Sequence, residues 1–149
     1  MSQKLYDPNL TLRQGLAEYY QKNPGYDGEG EFLGTPRETV IGHDLVHVVF
    51  DLGSSSEEEL IVEVMTAFAC ILPLKEIKKM PKVKFATELW KTFGPWRLIR
   101  RFVLSSPRML RAFLKAMRMK KKWPHFNYQK YLDIPLKDIR EEFGIELPV

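Results

Sequence analysis

A single cysteine, Cys70, leaves no disulfide to close within the chain. It sits in the apolar run Thr66 to Leu74, where a buried thiol in a reducing compartment is expected. Long hydrophobic runs are missing too. The most apolar stretch, Leu60 to Leu74, contains Glu63 and Pro73 and falls short of the roughly 20 residues that cross a bilayer. Met1 to Pro8 carries Lys4 with no apolar stretch behind it, so it does not read as a secretory signal and an intracellular chain is expected. No segment alternates apolar and polar residues between hairpin turns, which removes β-sheet as the organising element. Proline and glycine are too few for a collagen-like or disordered chain, and a length of 149 residues suits one domain, 1–149, without a second catalytic domain.

Acidic residues are absent over a long stretch. Between Glu88 and Asp133 there is none, while Lys91, Arg97, Arg100, Arg101, Arg108, Arg111, Lys115, Arg118, Lys120, Lys121, Lys122 and Lys130 supply twelve of the 23 basic side chains. A net charge of +4 is therefore concentrated on one part of the chain, which should attract phosphate on lipid or nucleic acid.

What is present is helix punctuation. Thr11 with Gln14 forms a capping box that opens a helix through about Lys22, stopped by Asn23, Pro24 and Gly25. Tyr26 to Gly34 reads as a loop. Thr35, Pro36 and Glu38 start a second helix running to about Phe50. Serines 54 to 56 and glutamates 57 to 59 announce a third, continuing towards Pro73 and returning antiparallel as a helix hairpin. Further helices should begin near Pro81, Pro95, Pro107 and Pro135, the last capped by Gly144. The expected class is all-α, a bundle of six or seven helices.

The second helix contains His43-Asp44-Leu45-Val46-His47. At 100° per residue, positions 43, 44 and 47 fall within one 100° arc, so two imidazoles and a carboxylate can share a face. His47 lies about three residues before the turn and Glu59 about three after the next helix begins, so the hairpin brings them to similar height, and Glu63 returns to the height of His43. Nitrogen and oxygen donors without thiolate suit zinc, manganese, iron or cobalt, and three or four protein ligands leave positions open for substrate. Such an ion would polarise a ligand oxygen as a Lewis acid. Plainer readings stand beside this one. Histidine pairs at this spacing occur by chance, and Glu59 fits a capping box opened by Ser56. Asp44 can simply partner a histidine, Glu63 can be a solvated helix residue, and Leu45, Val46, Val48 and Val49 read as core.

HDLVH, followed by eleven residues and Glu59, resembles the HDxxH-x11-E signature of the coenzyme Q biosynthesis protein four family. The apolar segment Leu60 to Pro73 and the ending from Ile134 to Ile145 look like that family as well. The chain departs from it in being shorter and in having Glu58 where a glycine usually precedes the signature glutamate. The resemblance implies a mostly helical, membrane-peripheral protein of ubiquinone synthesis. It implies His43, Asp44, His47 and Glu59 as metal ligands and catalytic residues, with zinc as the expected cofactor. The implied reaction is removal of the ring carboxylate at C1 of a polyprenylated hydroxybenzoate, with Glu63 as a candidate proton relay. The alternative is a non-catalytic prenyl-lipid-binding protein or scaffold that partners other enzymes of quinone biosynthesis.

The arginines and lysines are interleaved with Trp96, Leu98, Ile99, Phe102, Val103, Leu104, Met109, Leu110, Phe113, Leu114 and Met117. That mixture suits a helix lying on an anionic membrane, on its cytoplasmic face, with apolar side chains also available to a prenyl tail. The same stripes serve a bundle core, and core is the favoured reading for most of them. Trp90, Trp96 and Trp123 offer stacking surfaces, but no nucleic-acid module is present and nucleic acid is not an expected partner. Exposed apolar surface on a short bundle makes a homo-oligomer a further expectation.

Overall fold

A computed structural model describes residues 5–24, 37–73 and 107–148. Among the described residues, helices α1 (Leu12–Lys22), α2 (Arg37–Phe50), α3 (Ser56–Ala69), α4 (Pro107–Arg118) and α5 (Leu136–Phe143) dominate. The mainly helical class is therefore correct. Five helices lie among the described residues, against the six or seven expected for the whole chain. The helices expected near Pro81 and Pro95, the loop Tyr26 to Gly34 and the Thr35-Pro36 start of α2 lie outside the described residues.

Strands play a small part after all. Cys70–Ile71 (β1) pairs in parallel with Trp123–Pro124 (β2). A two-residue strand is too short to display a period of two, so no sequence pattern announces it. It also ends α3 at Ala69, four residues ahead of the expected stop at Pro73. Cys70 is half-buried, and burial pushes its thiol pKa up, as expected for an inert sulfhydryl.

The local rules hold well at α1 and α5. Gln14 Oε1 accepts from the Thr11 backbone N–H at 2.9 Å while Thr11 Oγ1 accepts from the Gln14 N–H at 3.3 Å, completing the capping box. Gly144 closes α5 in the left-handed region at φ 64°. The two helix starts are tied together: the N–H groups of Leu12 and Arg13 donate to the carbonyls of Ile134 and Leu132, and Leu136 donates to Leu10.

Helix α2 is the centre of the packing. Leu45, Val46, Val48 and Val49 are fully buried, as the sequence suggested, and each such side chain contributes about 1.5–3 kcal/mol by leaving water. α1 packs on α2 at Gly15, where an added Cβ would come within 2.6 Å of Val48 Cγ1. α3 packs between α2 and α4, with Ile61 and Met65 buried and Phe68 edge-on to Phe113. α2 carries histidines into this interior because its aliphatic residues hold it there.

Candidate metal centre

The hairpin formed by α2 and α3 fixes the site from its turn outwards. The turn is a Schellman arrangement, with Leu52 N–H donating to His47 O at 2.8 Å and Asp51 N–H to Val48 O at 3.4 Å. Asp51, not a glycine, takes the left-handed position at φ 60°. Strain of this kind needs compensation from its surroundings. The Asp51 carboxylate accepts from the backbone N–H groups of Leu5 and Tyr6 at 3.1 and 3.0 Å, and Arg140 reaches it at 3.5 Å. Arg140 also donates to the Val49 and Val48 carbonyls at 2.9 and 3.0 Å, capping the end of α2 beside His47.

Helix α3 begins one residue earlier than the sequence suggested. Ser55 is the N-cap, not Ser56, and Glu58 is the residue that reaches back. Glu58 accepts from Ser55 Oγ at 2.6 Å and from Gly53 N–H at 3.1 Å. Burial alone would raise the Glu58 pKa, but the hydrogen bonds from Ser55 and Gly53 and the nearby Arg108 outweigh it and lower the pKa. The capping role once open to Glu59 thus belongs to Glu58, the residue that departs from the family signature. Glu59 is released to face α2.

It faces both histidines. His47 Nε2 lies 3.4 Å from Glu59 Oε1, and His43 Nε2 lies 3.6 Å from Oε2. Each of the three residues offers a ligand atom within 4.8 Å of the others. Four residues along a helix is 400°, a net turn of 40°, which explains why the two imidazoles share this face. Asp44 does not join the group. One residue past His43 is a turn of 100°, and that carries its carboxylate towards α1, where Oδ2 accepts from the Tyr20 hydroxyl at 3.1 Å. Asp44 Oδ1 stays 3.5 Å from His43 Nδ1. Glu63 is exposed one turn further along α3 and is also outside the group.

His47 Nδ1 lies 2.9 Å from the Gly53 carbonyl, which can only accept, so Nδ1 carries the proton. The ring is wholly buried, and burial with the nearby His43 lowers its pKa to about 4. A neutral ring protonated at Nδ1 turns the Nε2 lone pair towards a carboxylate oxygen. Two acceptors then face each other at 3.4 Å, and Nε2 has no hydrogen-bond partner although it is buried. An ion pair does not account for this contact, because a neutral imidazole carries no charge to pair. A divalent cation held between the two atoms would satisfy both. Ligands about 2.0–2.1 Å from a tetrahedral ion are separated by about 3.3 Å, close to both nitrogen–oxygen distances here.

The group is buried at one end and partly exposed at the other. Tyr19 stacks against His47 with ring centroids 5.0 Å apart. His43 and Glu59 keep about a quarter and a third of their side-chain surface exposed, while His47 keeps none. Substrate or water would therefore reach the ion past His43 and Glu59.

Three contributors carried no readable signal in the sequence. Tyr19 and Tyr20 look like ordinary aromatics of an amphipathic helix. His125 is the third of the three histidines and sits far along the chain from the motif. It is buried against Gly42, where an added Cβ would come within 2.6 Å of its carbonyl oxygen and 2.9 Å of its ring. Burial and His43 lower its pKa to about 4.

Compared with known protein families, curated proteins and solved structures, the chain matches none.

Proposed function

We propose that the protein is a divalent-metal-dependent enzyme of ubiquinone biosynthesis that removes the C1 carboxylate of a polyprenylated hydroxybenzoate at a membrane surface. The observation that supports it best is the neutral, buried His47 whose unpartnered Nε2 faces the Glu59 carboxylate. The HDLVH motif, with Glu59 following after eleven intervening residues, supplies the reaction class by resemblance.

His43, His47 and Glu59 would hold the ion, with zinc suited to two nitrogens and one oxygen and a fourth position left open. Bound there, the ion would supply Lewis-acid polarisation of an oxygen on the aromatic ring. The buried end of the group, packed against Tyr19, would exclude water, while exposed Glu63 would stand within one helical turn of Glu59 to relay a proton to the vacated carbon.

Helix α4 supports surface binding. Leu114 and Met117 are 43% and 57% exposed beside exposed Arg111 and Arg118, a combination that inserts apolar groups while its cations meet anionic headgroups on the cytoplasmic face. No helix among the described residues is long and apolar enough to cross a membrane. Trp123 is fully buried against Tyr131 and Phe143, so it offers nucleic acid no stacking surface.

The test is zinc-loaded protein on anionic vesicles with a polyprenylated hydroxybenzoate labelled at its carboxyl carbon. Labelled carbon dioxide should be released, and chelation or His47→Ala should stop it. Zinc bound without any release would leave the scaffold or lipid-binding role.

A further inference from the structure

Asp44 is buried, with 2% of its side chain exposed, yet it lies outside the group able to hold an ion. A carboxylate removed from water to that extent needs hydrogen-bond donors. One donor is Tyr20 Oη at 3.1 Å, delivered from α1. The other face of the same carboxylate addresses His43 Nδ1 at 3.5 Å, whose opposite nitrogen is the one that points at Glu59. The two histidines are thus held from behind by different means. His47 has a backbone carbonyl at 2.9 Å, fixed by the hairpin turn, whereas among the described residues the group behind His43 is a side chain, itself held by a second side chain from another helix.

We propose that Tyr20 and Asp44 form a positioning pair that orients the His43 imidazole for the ion, so that Asp44 acts behind the metal centre and not as a ligand in it. This inference rests on the metal-binding reading of His43, His47 and Glu59. A carboxylate placed behind a metal-bound imidazole fixes which nitrogen carries the proton and holds the ring in plane with the ion. Tyr20 holds that carboxylate in turn, and its hydroxyl is raised in pKa by burial and by Asp44, so it remains a donor. The motif therefore works only when α1 is docked on α2, and Tyr20, far outside the signature, becomes part of the site.

Cobalt(II) titration followed by its visible absorption tests this on the full chain, with Tyr20→Phe, Asp44→Asn, the double variant and His43→Ala. Wild-type protein should take up one cobalt ion per chain. Tyr20→Phe should weaken binding about tenfold and Asp44→Asn by about 10–100-fold, with the wild-type stoichiometry and band position retained. The double variant should bind no more weakly than Asp44→Asn, because Tyr20 acts through Asp44. A purely structural tyrosine would instead give additive losses. Unchanged affinity in Tyr20→Phe overturns the inference, and so does a shifted band in Asp44→Asn, which would make Asp44 a ligand. Tyr20→Phe keeps the ring and its packing, so it remains informative if Asp44→Asn fails to fold. Wild-type protein that binds no cobalt overturns the metal reading itself, a result distinct from either of these.

Discussion

The interior of the α2–α3 hairpin and the outer face of α4 both gather polar side chains, but they hold them differently. In the hairpin three polar side chains have fixed neighbours: His47 the Gly53 carbonyl, Asp51 two backbone N–H groups, Asp44 the Tyr20 hydroxyl. On α4, Arg111 and Arg118 project from an exposed face beside Leu114 and Met117, and Arg108 meets Glu57 only at the surface. Burial makes the first arrangement costly to disturb and leaves a compact donor group that could hold a metal ion. Exposure makes the second tolerant of change and suited to a diffuse anionic partner.

The largest effect should come from the buried clamp on the end of α2. Arg140→Ala leaves two helix carbonyls without their donor and takes the cation from beside buried Asp51, and urea unfolding should show a loss of about 3–5 kcal/mol. A loss below about 1 kcal/mol would mean the turn holds itself without Arg140.

Acid should come next. Burial depresses His47 and His125 from 6.5 to about 4, with His43 adding to it, so the unfolded chain takes up protons first as pH falls. The stability these groups contribute is complete above about pH 6.5, declines between there and about pH 4, and then levels off. The slope is about 1.4 kcal/mol per pH unit for each histidine. Urea midpoints that do not change between pH 7 and 5 would contradict this assignment of neutral, buried rings.

A smaller effect separates two adjacent glutamates. Glu58→Ala removes the side chain that accepts from Ser55 Oγ and the Gly53 N–H at the start of α3 and should cost about 1 kcal/mol while zinc binding persists. Glu59→Ala should change stability by no more than about 0.5 kcal/mol yet abolish zinc binding. The reverse pattern would return the capping role to Glu59.

That pair also shows how far the sequence could be read. The run of three serines and three glutamates offers three overlapping capping boxes, 54 with 57, 55 with 58 and 56 with 59. Local rules cannot rank them, and the choice is made by the Gly53 N–H reaching Glu58. Convergence of His43, His47 and Glu59 was legible because it follows from helical rotation and hairpin return alone. The place of Asp44 was not, because an arc on a helix includes residues that face the neighbouring helix as well as the hairpin partner. Tyr20 and His125 reach the site through contacts distant in sequence, which no period records. Asp51 took a position normally read from glycine, and the β1–β2 pair was too short to leave a pattern.

The smallest effect is expected on α4. Arg111→Glu with Arg118→Glu should leave folding and zinc binding intact but weaken flotation with anionic vesicles, each lost cation removing about 1 kcal/mol of attraction. High salt should weaken the wild type likewise. Vesicle binding that ignores both changes would remove α4 from the membrane contact.

Metal content after dialysis against zinc tests the central claim most directly, measured per chain for wild-type protein and for His47→Ala. One zinc ion retained by the wild type and none by the variant is the predicted result. No zinc in the wild type, or an equal amount in both, would contradict a cation held between the buried His47 nitrogen and the Glu59 carboxylate.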